Sequence, residues 1–266
     1  MLTSLQNPLV KFFRQLHQAK GRRSQQRFLL EGTHLVQAAL AADYPLDIVC
    51  YTPAWEQAHP TLALALGQQA KRVETVSEAV VAAMATTQHP DGVVAAAPAN
   101  LRSPHPTIEG LGLVVETLQD PGNLGTILRT AVAAGAEGLW LSADSVAPDH
   151  PKVLRASAGQ WFQLPLAVVD DLSAPLAEWR QAGVQLVATS ARAEVDYWAV
   201  DFTRPTVIVL GNEGAGLSAA LQRQATVQVR IPMAGAVESL NVAISAALLL
   251  YEARRQRGRW GGGAVG

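Results

Sequence analysis

Leu111-Gly-Leu-Val-Val-Glu-Thr-Leu-Gln-Asp-Pro-Gly-Asn-Leu-Gly-Thr-Ile-Leu-Arg129 reads as a strand that exits through a polar turn into a helix. A strand is expected at 111–116, where the apolar run to Val115 has the pattern of a strand covered on both faces and Glu116 marks its exit. Leu124, Ile127, Leu128 and Ala131 then recur at helical spacing and predict a helix over 124–134, with Asn123 placed to cap it. The alternation continues. Strands are expected at 138–141, 166–169, 184–188, 207–210 and 226–231, with helices at 151–158, 175–182 and 239–255. Strands that alternate with helices predict an α/β fold around a parallel sheet, where ligands bind at the carboxyl ends of the strands.

Upstream, a strand at 28–30, a helix at 32–42, a strand at 48–51, a Ser77-capped helix at 77–85 and a strand at 93–96 predict a smaller α/β domain. A basic helix over 4–19 precedes them. The expected organisation is an N-terminal domain (1–97), a proline-rich linker (98–108), a catalytic domain (109–257) and a disordered tail (258–266). The 266 residues are 49% apolar and carry a formal charge of −1, so no global field draws the chain to nucleic acid. Locally the balance differs. Lys11, Arg14, Lys20, Arg22, Arg23 and Arg27 fall in a stretch without carboxylates, and Arg254, Arg255, Arg257 and Arg259 cluster near the other end. One cysteine, Cys50, excludes an internal disulfide and reads as a buried strand residue. The absence of a signal-type leader and of an apolar run of about 20 residues predicts a soluble, cytoplasmic protein with no membrane partner. The six histidines show no metal-ligand spacing, so no metal is expected.

Two further glycine-punctuated segments follow the first. Leu210-Gly-Asn-Glu-Gly-Ala-Gly-Leu217 leaves a strand with an acid inside the loop. Glu213 would repel a pyrophosphate, and the glycine order is not that of a dinucleotide fingerprint, which argues against a nicotinamide-dependent oxidoreductase. A carboxylate suits a cationic ligand or a hydroxyl. Ile231-Pro-Met-Ala-Gly-Ala-Val-Glu-Ser-Leu-Asn241 bends a loop into the last helix, with Ser239 as its expected cap and Asn241 in its first turn. Read alone, Arg129 is a solvated helix arginine and Asn123 and Ser239 are caps, while the second loop favours a ligand over a mere chain reversal.

Together, in this order, the three segments resemble the SpoU/TrmH family of S-adenosylmethionine-dependent RNA 2′-O-methyltransferases, in the SPOUT superfamily. The resemblance covers residues 109–257 and includes Arg155-Ala-Ser-Ala-Gly159 and Leu164-Pro165; Ala243 departs from it, where the family often has serine. Residues 7–32 resemble the ribosomal-protein-like substrate-binding domain of rRNA-modifying members. The resemblance implies a deep trefoil knot, an exception to the rule against threaded chains. It implies a cofactor, S-adenosylmethionine, held near Thr189, Leu210, Gly211, Ile231, Met233 and Leu240. It also implies catalysis by Arg129 supported by Asn123, Glu213, Ser239 and Asn241, and a homodimer whose site borrows a residue across the interface. RNA, with ribosomal RNA ahead of tRNA, is then the partner that Lys11, Arg14, Lys20, Arg22, Arg23 and Arg27 would contact through phosphates. A catalytically silent RNA-binding or ribosome-assembly protein is the remaining alternative. The joint presence of Asn123, Arg129, Glu213 and Asn241 argues against it.

Overall fold

The computed structural model describes residues 1–99, 103–105, 107–235 and 237–258. Residues 259–266 of the expected tail, Arg259 among them, lie outside the described residues, as does part of the expected linker. The chain forms two units, Met1–Asn100 with Ala147–Gln163, and Leu101–Val146 with Leu164–Gly266.

In chain order the first unit contains α1 (Pro8–Gln15), α2 (Ala19–Gln25), β1 (Arg27–Glu31), α3 (Thr33–Ala41), β2 (Ile48–Tyr51), α4 (Pro53–Ala58), α5 (Pro60–Gln69), β3 (Val73–Thr75), α6 (Glu78–Met84) and β4 (Val93–Pro98). The strands form one sheet in the order β1-β4-β2-β3, with β4 antiparallel to both neighbours. The single expected basic helix is in fact two. Asn7 caps α1 through a bond from Leu9 N–H, Pro8 starts it, and the chain turns at residues 16–18 before α2. Leu9, Val10, Phe13 and Leu16 bury one face of this region with Val80, Val81 and Met84 of α6. Each such side chain contributes about 1.5–3 kcal/mol on burial. Cys50 is fully buried on β2, and burial pushes its thiol up to about 12, far from a nucleophile's range. Ser77 does stand at the start of α6, but its side chain makes no capping bond.

The basic residues of this region do not act alike. Lys11, Arg14, Lys20 and Arg23 are exposed. Arg22 is only 1% exposed, lies 3.1 Å from Asp149 as an ion pair without an aligned hydrogen bond, and donates to the carbonyls of Leu16 and His17. Its charge is committed to the fold, which corrects the expectation that it contacts phosphate. Arg27 is likewise engaged, donating to Asp47 at 2.7 Å. Glu31 is another buried charge in this unit. It accepts from the amides and hydroxyls of Thr86 and Thr87 and pairs with Arg155 at 2.7 Å. Full pairing is what makes a buried carboxylate tolerable.

The second unit runs through β5 (Leu111–Val115), α7 (Pro121–Ala134) and β6 (Gly138–Ser142); after α8 (Pro151–Ala156), which belongs to the first unit, it resumes with β7 (Leu166–Val169), α9 (Ser173–Gln181), β8 (Gln185–Thr189), β9 (Val195–Asp196), β10 (Thr206–Leu210), α10 (Ala219–Gln224), β11 (Val227–Arg230) and α11 (Val242–Gln256). Seven strands, all parallel to their neighbours, lie in the order β7-β6-β5-β10-β8-β11-β9. The expected parallel α/β sheet is present. The two-residue β9 and the one-and-a-half-turn α10 carry too little pattern to be read in advance. The order matters for function, because β5, β10, β8 and β11 are successive neighbours and so bring their carboxyl-end loops side by side. Near the C-terminus, Arg255 forks onto Glu252, and Arg257 donates to the carbonyls of Phe202, Gly110 and Arg204.

Candidate active site

Asp120, not Asn123, caps α7. Pro121 occupies the first helical position, where a missing N–H costs nothing, and Asp120 Oδ1 accepts from Asn123 N–H at 2.9 Å. This corrects the expected cap and frees the Asn123 side chain. Its Nδ2 donates to Glu213 Oε1 at 3.0 Å, and its Oδ1 accepts from Asn241 Nδ2 at 2.9 Å. The cap of α11 is corrected too. Asn241, not Ser239, takes that position, accepting through Oδ1 from the amides of Ala243 and Ile244. Asn is a strong cap and a mediocre interior residue, so the helix begins after it. Three segments dispersed in sequence thus meet in one continuous chain of bonds, Asn241 to Asn123 to Glu213. Ser239 stands apart from that chain, exposed on the β11–α11 loop.

The loop after β10 is shaped by its own backbone. Gly211 is buried, and a Cβ there would lie 2.2 Å from the carbonyl carbon of Gly216 and 2.3 Å from Leu217 N. Only glycine lets the two backbone stretches pass so closely. Asn212 pairs with Gly216 across the loop, and Gly216 takes a φ of 69°. At its far end, Ser218 N–H donates to Glu116 at 2.7 Å, tying the loop to the exit of β5.

Between this loop, the exit of β8 and the β11–α11 loop lies a cleft of about 1060 Å³. Thr189, Leu210, Gly211, Ile231, Met233 and Leu240 all line it, with Glu213, Glu238, Ser239 and Arg192. Sequence reading missed Glu238 and Arg192 because an exposed charge in a loop has no distinguishing local pattern. Arg129 lies elsewhere. It is exposed on α7, makes no side-chain hydrogen bond or ion pair among the described residues, and is not part of the cleft lining. Among the described residues no group of three or more His, Cys, Asp or Glu could hold a metal, and no helix is long and apolar enough to cross a membrane.

Comparison with known proteins decides the family of the chain. Residues 110–251 match the SpoU rRNA Methylase family, and residues 7–95 the MRM3-like substrate binding domain. The chain belongs to the SpoU rRNA Methylase family. This SpoU methylase is 52% identical to an uncharacterized tRNA/rRNA methyltransferase of Synechocystis sp., over 96% of this chain and 94% of that one. It is 32% identical to the 23S rRNA (guanosine(2553)-2′-O)-methyltransferase of Bacillus subtilis, over 95% and 98%. An S-adenosylmethionine-bound rRNA methyltransferase from Sinorhizobium meliloti superposes with a TM-score of 0.84 at 36% identity, covering 96% of this chain and 97% of that one. The SpoU methylase is an RNA methyltransferase that uses S-adenosylmethionine. The chemistry of the cleft lining fits that cofactor. Leu210, Leu217, Val229, Ile231, Met233 and Leu240 offer apolar surface for a base, and Glu213 and Glu238 offer negative charge for ammonium and sulfonium groups.

Proposed function

We propose that this chain methylates a ribose 2′-hydroxyl of ribosomal RNA, with the cleft as donor site and Arg129 as the catalytic residue. The observation that carries this reading is the bonded chain Asn241–Asn123–Glu213, which runs from the start of α7 to the loop lining the cleft. In this reading Thr189, Leu210, Gly211, Ile231, Met233 and Leu240 hold the donor, within a chain threaded as a trefoil knot. When bound, S-adenosylmethionine supplies an electrophilic methyl group on a sulfonium centre. The chain's own residues must aim a hydroxyl at that carbon and accept the charge that grows on its oxygen. A guanidinium stays protonated, so Arg129 is a poor base and a good stabiliser of a developing alkoxide. The proton passes to an adjacent phosphate or water. Asn123 and Asn241 keep Glu213 oriented, and Ser239 adds a hydroxyl at the cleft wall.

Arg129 has no side-chain partner among the described residues and lies outside its own chain's cleft, which supports a site completed by a second copy. Ile244 and Tyr251, two turns apart on α11, are 49% and 46% exposed, and Trp198 is 52% exposed on a turn that packs against the same helix. Such an apolar face fits a homodimer contact better than water.

Ribosomal RNA is favoured over tRNA by the substrate-binding domain and by the named target of the Bacillus relative. Mapping ribose methylation in ribosomal RNA and tRNA, with and without the gene, tests this: one 2′-O-methyl mark should vanish from ribosomal RNA. Loss of a base methyl group, or of a tRNA mark only, would overturn the respective part.

Lys11, Arg14, Lys20 and Arg23 are the exposed candidates for phosphate contact. Replacing Lys11, Lys20 and Arg23 together by glutamine should lower the slope of log affinity against log salt by roughly 2–3, about one per lost contact. An unchanged slope would remove this helix pair from the RNA interface.

A further inference from the structure

Two residues beyond the end of β5, Thr117 takes a φ of 55°, in the left-handed region that a β-branched residue seldom occupies. Its neighbours hold it there. Thr117 N–H donates to Ser142 Oγ at 2.7 Å, and Thr117 Oγ1 donates to Asp144 Oδ2 at 2.8 Å. Ser142 Oγ in turn donates to Asp144 Oδ1 at 2.5 Å, and the next amide, that of Leu118, donates to Ser145 Oγ at 3.0 Å. These hydroxyls keep the Asp144 carboxyl below its ordinary range, so it accepts both bonds as a carboxylate.

The consequence lies on the carbonyl side. Thr117 O accepts from Asn212 Nδ2 at 2.8 Å, and Asn212 Oδ1 accepts from the amides of Gly214 and Ala215 at 2.9 and 3.0 Å. One backbone carbonyl therefore anchors the side chain around which the 211–216 loop is wrapped. If Thr117 relaxed to an ordinary φ, that carbonyl would swing away and Asn212 would lose its anchor. Glycine or asparagine would satisfy the backbone at lower cost. Threonine adds the hydroxyl that Asp144 holds, and strain kept in place by surrounding bonds is a mark of functional geometry.

We propose that Thr117, locked by Ser142 and Asp144, is a positioning residue for methyl transfer: its carbonyl fixes Asn212 and with it the loop that lines the cleft. The proposal deepens the donor-site reading given above and rests on it. Three variants test it, Thr117→Val, Asp144→Ala and Thr117→Gly. The readouts are S-adenosylhomocysteine binding by calorimetry and hydrogen exchange at the Gly214 and Ala215 amides. Valine keeps the strain and loses the hydroxyl, so binding should weaken roughly tenfold and exchange at both amides should rise as much. Asp144→Ala should behave the same way. Glycine adopts the left-handed conformation freely and should stay within about threefold of the natural chain on both measures. Unaltered exchange in Thr117→Val, or glycine as damaging as valine, would overturn the proposal. A natural chain that fails to bind S-adenosylhomocysteine would instead sink the donor-site reading, and the exchange data would still decide whether Thr117 anchors the loop.

Discussion

Replacing Arg129 by alanine is expected to cut methyl transfer by roughly a hundred- to a thousandfold while leaving S-adenosylhomocysteine affinity within about twofold. The two effects separate because Arg129 is exposed on α7 and does not line the cleft. Its removal takes away a donor that matters only as charge builds on the ribose oxygen. Lysine at this position should recover little, since an ammonium lacks the planar fork that can hold two oxygens at once. Single-turnover methylation beside calorimetry checks this. Weakened cofactor binding with unimpaired chemistry would reassign Arg129 to the cleft.

Gly211→Ala should produce the opposite pattern. The added methyl group meets backbone atoms of Gly216 and Leu217 at 2.2–2.4 Å, so the loop itself must move. Because that loop lines the cleft, donor affinity should fall about a hundredfold or more, with far-UV circular dichroism unaltered. Affinity within about threefold of the natural chain would show that the loop yields at little cost. The two variants also report on each other. If Arg129 serves the neighbouring subunit's site, a mixed dimer of Arg129→Ala and Gly211→Ala chains has one complete site and regains activity. If Arg129 serves its own chain, both sites of the mixed dimer are broken and activity stays lost.

Much of this was legible in the residues. Unbroken apolar runs such as 111–115 and 207–210 announce buried parallel strands, because both faces must be covered. Glycines flanking Asn212 and Glu213 mark a loop that needs close backbone approach. The helix starts were harder. Asn123 and Ser239 are good caps by type, yet Asp120 and Asn241 hold those positions. The Asp-Pro step at 120–121 carried the signal for the first, since proline favours the first helical turn. Arg22 could not be separated from Lys20 and Arg23 by sequence, because its burial depends on Asp149, 127 positions away. Thr117 was silent for a related reason. Nothing local asks for a left-handed threonine, and the bonds that impose it come from residues 142, 144 and 212.

The bond between Asn123 and Asn241 spans 118 positions of chain. At translation speeds of roughly 5–20 residues per second, the second asparagine is made about 6–24 s after the first. The bonded chain from Asn241 through Asn123 to Glu213 therefore cannot close until residue 241 has been made. The order of synthesis thus leaves the Asn123 side chain without its Asn241 partner through most of the translation that follows it.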